Sequence, residues 1–319
     1  MKMLLDVERL QIGFGAFSPV DDVTFGIDRG EVLGVVGESG SGKSLSATAI
    51  MGLLPRIGAR ISSGRMRFDG IDLVGLPEKR MRRLRGGKIA LITQNPMTSL
   101  DPMIRVGPQI DQSSRLHLKV DRKAARARSL ALMADMQIPN PAVVYDLYPF
   151  QLSGGMKQRI VIAMALAGEP QLLIADEATT ALDVTVQAQI IKILVDLVKQ
   201  RGLALILITH DMGIVAQACD RVAVMYCGRI IESGAVERIF ENPRHPYTKA
   251  LIRCIPRLGM VRGSLSAIPG TVPNAAAYPT GCRFRPRCPV AVVRCQTEIP
   301  KLHGDCEGHG TACHLVTAA

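Results

Sequence analysis

Tryptophan is absent from this chain of 319 residues, and aromatic residues make up only 4% of it. Surfaces that bind single-stranded nucleic acid stack bases on aromatic rings, so that mode is disfavoured here despite a net charge of +11. Long apolar runs are also missing. Leu172 to Ala175 and Leu203 to Ile208 have the length of buried strands, well short of the roughly 18 residues that cross a bilayer. The opening Met1-Lys2-Met3-Leu4-Leu5-Asp6 meets a carboxylate too soon for a signal peptide. The expectation is a chain that stays in the cytosol. No two cysteines stand in the C-x₂-C spacing of a zinc finger or ribbon.

What is present fits a well-packed globular protein. The hydrophobic fraction is 47%, and 319 residues hold one large domain or two smaller ones with ample core. The basic excess is concentrated in Arg56 to Arg67 and in Glu78-Lys79-Arg80-Met81-Arg82-Arg83-Leu84-Arg85. Three readings of these runs stay open: a solvated helix face, attraction to an anionic membrane, or attraction to nucleic acid.

Short alternating stretches up to about residue 30 (Leu5, Val7, Leu10, Ile12; Val23, Phe25, Ile27) predict antiparallel strands. Buried-strand runs follow at Val32–Val36, Ile89–Thr93, Leu172–Ala175, Ala204–Thr209 and Arg221–Met225, interleaved with helical patterns, as in a doubly wound α/β core. Strand runs stop between Asn95 and Pro149, where Arg122 to Met136 reads as an exposed, Ala- and Arg-rich helix. A long helix, Val184 to Gln200, ends at Gly202, a natural C-cap. Beyond about Phe240 the composition turns to proline, glycine and cysteine, which predicts a separate, irregular appendage.

Gly37-Glu38-Ser39-Gly40-Ser41-Gly42-Lys43-Ser44 satisfies G-x-x-x-x-G-K-[ST] without mismatch, between a strand-like run and a helical pattern with Leu45, Ala49, Ile50 and Leu53 on one side. Glycines let successive backbone N–H groups face a polyphosphate, and the following helix adds positive field. Lys43 is placed for the β- and γ-phosphates and the Ser44 hydroxyl for Mg²⁺. The implied ligand is a nucleoside triphosphate.

Five further segments follow in order. Gln94 opens Asn95-Pro96-Met97-Thr98-Ser99-Leu100-Asp101. Leu152-Ser153-Gly154-Gly155-Met156-Lys157-Gln158-Arg159 begins a helix. The strand Leu172–Ala175 ends at Asp176-Glu177, Ala181-Leu182-Asp183 comes next, and His210 caps the strand Ala204–Thr209.

Together with the phosphate loop, these segments resemble the Walker A, Q-loop, signature, Walker B, D-loop and H-loop of ATP-binding cassette (ABC) ATPases. The resemblance implies an α/β, ABC-type P-loop nucleotide-binding domain over 1–240. That domain has a parallel sheet core, N-terminal antiparallel strands and a helical subdomain at about 95–155; an irregular Cys/Pro-rich extension occupies 241–319. It also implies ATP and Mg²⁺, with the metal held by Ser44, Asp176 and Gln94. Glu177 becomes the general base, His210 the γ-phosphate contact and Gln94 the sensor of metal and lytic water. Phe14 is placed against adenine, with Phe17 as competitor and a core role for Phe14 left open. Ser153, Gly154, Gly155 and Asp183 serve the ATP held by a second subunit, so a single chain implies a head-to-tail dimer. Met156 departs from the superfamily's glutamine.

A finer resemblance is to ATPase subunits of oligopeptide and dipeptide importers, a group that includes nickel, glutathione and opine systems. It rests on Gln94 to Asp101, Gln151 to Arg159, Asp183 to Ile190 and Asn242-Pro243-Arg244-His245-Pro246-Tyr247-Thr248. The tail adds Pro269-Gly270, Gly281-Cys282 and Arg287-Cys288-Pro289. The implied partners are two membrane permeases, a second ATPase subunit and an extracytoplasmic binding protein, and not nucleic acid. The implied location is the cytoplasmic face of a bacterial inner membrane, with Met97 to Met103 receiving a permease helix. A non-transport ABC ATPase acting on nucleic acid is the alternative, supported only by the basic runs.

Five of the eight cysteines crowd the stretch 282–313 of the tail, with gaps of five residues between Cys282 and Cys288, six from Cys288 to Cys295, and seventeen from Cys295 to Cys313. By spacing these are a metal site, a cluster or inert thiols. By resemblance, Cys282, Cys288, Cys295 and Cys313 match ligands of a [4Fe–4S] cluster. Cys306 is spare, and His303, His309 and His314 keep zinc arithmetically open. Cys219, Cys227 and Cys254 read as buried small hydrophobes.

Overall fold

The computed structural model describes residues 3–93, 98–178, 183–255, 267–306 and 308–316. It forms two compact units, one of Met1–Ile27, Leu33–Val74 and Ile208–Ala319, the other of Asp28–Val32 and Gly75–Leu207.

In the first unit, β1 (Leu5–Phe14) and β2 (Phe17–Ile27) pair antiparallel, as their alternation predicts. The apolar spacing jumps from two to three between Val7 and Leu10. A register shift there, with Arg9 at a φ of 49°, returns Leu10 to the buried side. Fully buried β3 (Val32–Val36) leads through the phosphate loop into α1 (Lys43–Ile50). That helix buries Ala47, Ala49 and Ile50 but leaves Leu45 half-buried, and it ends before Leu53. The basic stretch after Arg56 contains a strand that its charges disguised. β4 (Arg60–Phe68) pairs with β1, buries Met66 and Phe68, and exposes Arg60, Arg65 and Arg67. With β5 (Ile71–Asp72) the order is β2-β1-β4-β5.

The second unit opens with α2 (Glu78–Leu84), which buries Met81 and Leu84 and leaves Lys79, Arg80, Arg82 and Arg83 in solvent. The second basic run is thus an exposed helix face. After β6 (Ile89–Ile92) come α3 (Val106–Leu118), α4 (Arg122–Asp135), α5 (Pro141–Val144) and α6 (Gly154–Leu166), with no strand among the described residues until β7 (Leu172–Asp176). The expectation of an exposed helix at Arg122 to Met136 needs correction. α4 buries Ala125, Ser129, Leu132 and Met133, and the Ser129 hydroxyl donates to Asp111 on α3. Helical spacing gathers these small and apolar residues into one stripe, while the arginines between them dominate the composition. α7 (Val184–Arg201) ends at Gly202, whose φ of 63° caps it, and feeds β8 (Ala204–Thr209). The local strand order is β8-β7-β6, with β6 and β7 parallel.

The chain returns to the first unit with α8 (Met212–Ala218), β9 (Arg221–Tyr226), β10 (Arg229–Ala235), α9 (Val236–Glu241), α10 (Pro246–Arg253), α11 (Arg294–Thr297), β11 (His303–Gly304) and β12 (Gly310–Thr311). β3 and β9 are parallel, and the order continues β9-β10-β12-β11. The tail is irregular as expected, but it is not a separate appendage. Tyr247 and Phe284 pack with Tyr226 in the core beside Val36, Val222 and Val224, with ring centroids 4.6 to 5.4 Å apart. Each such ring pair contributes about 0.5–1.5 kcal/mol beyond area burial. A proline-rich segment has few backbone bonds to offer, so large side chains secure it.

The buried Glu232 carboxylate on β10 ties this region together. It accepts from the amides of Arg244 (2.6 Å) and His245 (3.0 Å) and lies 2.7 Å from His309 Nε2. Arg244 in turn pairs with Asp305 at 2.7 Å. Replacing Glu232 by alanine strands two backbone donors and an imidazole. We expect Glu232→Ala to lose about 3–5 kcal/mol of stability and to melt many degrees below the parent in calorimetry. A melting point within a degree of the parent would refute this role.

Candidate functional site

The phosphate loop is built by close backbone approach. A Cβ on Gly37 would sit 2.1 Å from the Met225 carbonyl oxygen of β9, and Gly42, at a φ of 101°, would meet Met225 and Val20 side chains at 2.9 Å. Only glycine fits either place. The Gly228 amide donates to the Ser41 carbonyl at 2.9 Å, fastening the loop to the turn after β9. Lys43 is 4% exposed and folds over the loop, donating to the carbonyls of Gly37 (2.7 Å) and Glu38 (3.0 Å) and to the Ser41 hydroxyl (3.3 Å). Ser44 is exposed in the first turn of α1, a turn without acidic residues. Chemically this is a pocket for an anion: a helix N-terminus, a lysine poised on exchangeable carbonyls, and a hydroxyl for a hard cation.

Phe14 and Phe17 face each other across the β1–β2 turn with stacked rings, centroids 6.1 Å apart. Phe14 is half-buried and Phe17 exposed, so the competing aromatics form one surface. His210 stands exposed, not buried, at the carboxyl end of β8, in the same unit as the loop. Asp211 beside it caps α8 by accepting from the amides of Gly213 and Ile214.

In the second unit, Asp176 and Glu177 are half-buried where β7 ends. Glu177 has a φ of 47°, a left-handed conformation costing about 1–3 kcal/mol at a side-chain-bearing residue, of the kind that clusters at functional sites. Gln94 and the stretch through Met97 lie outside the described residues, as do Ala181 and Leu182.

The same unit gathers Ser153, Gly154, Gly155 and Asp183 around one open cavity of about 500 Å³. The Ser153 side chain caps α6 by accepting from the Met156 amide. Arg159 lines the cavity, held by the carbonyls of Met136 (3.1 Å) and Gln137 (3.0 Å). A helix N-terminus, a hydroxyl and a guanidinium make this concavity suited to an anion as well.

Among the tail thiols, the amide of Cys282 donates to the Cys295 carbonyl at 2.9 Å. Burial pushes the Cys282 thiol up to about 11, with Cys295 and Cys288 adding to the shift. Burial also raises Cys288 and Cys313, each within electrostatic reach of Cys295 and Cys288 further affected by Cys313. Cys306 is exposed. Among the described residues, no three His, Cys, Asp or Glu side chains are gathered so as to hold a metal ion. Cys227 is fully buried, while Cys219 and Cys254 are half-buried.

Two contacts to the phosphate loop escaped the sequence reading. Arg287 and Tyr247, both from the tail, bind Glu38. Both occur in segments that carried the finer resemblance, but no spacing rule links them to residue 38.

Comparison with known proteins agrees with this geometry. The ABC transporter family matches residues 20–180, and the oligopeptide/dipeptide transporter C-terminal region matches 231–295. The dipeptide transport ATP-binding protein DppD of Escherichia coli (strain K12) is 46% identical, over 98% of this chain and 96% of that protein. The oligopeptide transport ATP-binding protein OppD of Haemophilus influenzae is 46% identical over 95% and 94%. Among solved structures, cbiO1 from Clostridium perfringens, part of the ABC transporter complex cbiONQ, superposes with a TM-score of 0.68 at 30% identity. It covers 76% of this chain and 92% of its own. With this loop, this C-terminal region and full-length likeness of that degree, the chain belongs to the ABC transporter family of ATPases, in the branch of dipeptide and oligopeptide transport ATP-binding proteins.

Proposed function

We propose that this chain is the ATP-hydrolysing, energy-coupling subunit of a bacterial importer of di- or oligopeptides. The observation that carries the reading is the 46% identity to a dipeptide transport ATP-binding protein along 98% of the chain. The geometry of the phosphate loop supports it.

Residues 1–240 act as the nucleotide-binding domain, with a helical subdomain at about 95–155, and 241–319 as the transporter-type extension. Entering phosphates exchange with the carbonyls of Gly37 and Glu38 as partners of Lys43, which spreads the charge that builds on the γ-phosphate. By the resemblance, Ser44 and Asp176, with Gln94, would hold Mg²⁺. A hydroxyl, a carboxylate and an amide oxygen are the hard donors this ion takes, and when bound it neutralises phosphate charge. Glu177 removes a proton from the attacking water, and His210 contacts the γ-phosphate. The Phe14 and Phe17 pair receives adenine. Ser153, Gly154, Gly155 and Asp183 receive the ATP of a second ATPase subunit in a head-to-tail pair, seated on two permeases at the cytoplasmic face of the inner membrane, with a binding protein on the far side.

In the tail, Cys282, Cys288, Cys295 and Cys313 would hold a structural [4Fe–4S] cluster. What supports this is the resemblance of these four positions to the family's cluster ligands; among the described residues their side chains are not gathered so as to hold a metal ion. When bound, it would cross-link segments that, among the described residues, have little regular secondary structure.

Glu177→Gln is expected to keep ATP affinity while lowering turnover by about 10²–10⁴-fold, and to trap a nucleotide-bound dimer in size-exclusion chromatography. Turnover at the parent rate would show the base to lie elsewhere. Deleting the gene should abolish uptake of labelled dipeptides in a strain lacking other peptide importers, and unchanged uptake would remove the peptide assignment. Anaerobically purified protein should contain about four irons per chain with broad visible absorbance, lost in Cys288→Ser. Iron-free, colourless protein would dispose of the cluster.

A further inference from the structure

Glu38 is the first variable residue of the phosphate loop, and each of its polar groups has a partner. Its carbonyl accepts from Lys43 Nζ at 3.0 Å and from the Ser41 amide at 3.2 Å, both within the loop. Its other groups are held from the tail. The Glu38 amide donates to the hydroxyl of Tyr247, a ring with no exposed surface, at 2.9 Å. The two carboxylate oxygens accept from Arg287 in a two-pronged pair, at 2.7 and 3.0 Å. The Arg287 side chain is 3% exposed. Its remaining donors are fixed by the carbonyls of Pro269 (2.9 Å) and Ile268 (3.3 Å) and the hydroxyl of Tyr226 (3.5 Å). A guanidinium so pre-oriented holds a carboxylate in one place.

The consequence for the nucleotide is electrostatic. A carboxylate on the rim of a polyphosphate cradle repels the ligand unless its charge is neutralised and its position fixed. Resting on the ATP-binding reading above, we propose that Arg287 and Tyr247 are positioning residues for the phosphate loop: the tail clamps Glu38 and thereby sets the affinity of the loop for nucleotide. The tail thus acts on the ATP site through two side chains whose bonds to the loop are made to Glu38.

The test uses the purified full-length chain, equilibrium binding of a fluorescent ATP analogue with Mg²⁺, and steady-state ATPase kinetics. Lys43→Ala tests the underlying reading: it should lose binding, and retained binding would indict that reading alone. Arg287→Met should weaken binding about tenfold through the unneutralised carboxylate, raising KM with kcat within about twofold. Arg287→Lys should recover part of the loss. Adding Glu38→Gln to Arg287→Met should relieve most of it, because the charge to be neutralised is gone. A merely structural arginine would lower kcat or melting temperature without that relief. Unchanged affinity in a folded Arg287→Met chain, or a loss that Glu38→Gln does not relieve, overturns the proposal. If Arg287→Met fails to fold, Tyr247→Phe decides, since it removes one oxygen from a buried ring. KM raised about threefold at constant kcat supports the clamp, and an unchanged KM overturns it.

Discussion

Backbone lies against backbone where Gly37 meets the carbonyl of Met225, and no side chain fits between them. That contact fixes the phosphate loop to β9, the strand that runs parallel beside β3. The strand ends at Tyr226, and the turn that follows returns the Gly228 amide to Ser41 of the loop. Tyr226 is also the ring around which Tyr247 and Phe284 assemble. The cradle and the tail therefore share one strand end, and a displacement there would be felt by both.

This sharing explains why an irregular tail can be part of a stable unit. Among the described residues, its segments between α10 and β12 contain little regular pairing. They are held by side chains: the aromatic group around Tyr226, the Glu232 carboxylate, and Arg283 and Arg229 converging on Asp21 of β2. Buried polar groups are costly unless satisfied, and these are satisfied by backbone and charged partners together. A cysteine-bound cluster, where present, would add a covalent knot to a region already tethered at several points.

Electrostatics in the two units follow one logic. The phosphate loop offers a helix N-terminus and a lysine; the cavity at Ser153 offers another helix N-terminus and an arginine. Each chain thus presents two anion-receptive surfaces of different make. Backbone strain is placed sparingly, and Glu177, at the end of β7, is one of the few side-chain-bearing residues with positive φ.

The sequence by itself determined the alternation of β1 and β2, the buried strands β3 and β6 to β9, the long helix closed by Gly202, and the phosphate loop. These depend on local periodicity and on glycine at fixed places, both visible in a short window. It was misleading where composition hid a stripe. The arginines of β4 concealed a strand, and those of α4 concealed a buried face. Only the tertiary structure decided that the tail belongs to the core, that Phe14 and Phe17 form one stacked pair, that Ser153 and Asp183 line a common cavity, and that Arg287 and Tyr247 grip Glu38. Those facts join residues as far apart as 38 and 287, and such pairings are set by how side-chain volumes and charges are satisfied in three dimensions rather than by any pattern along the chain.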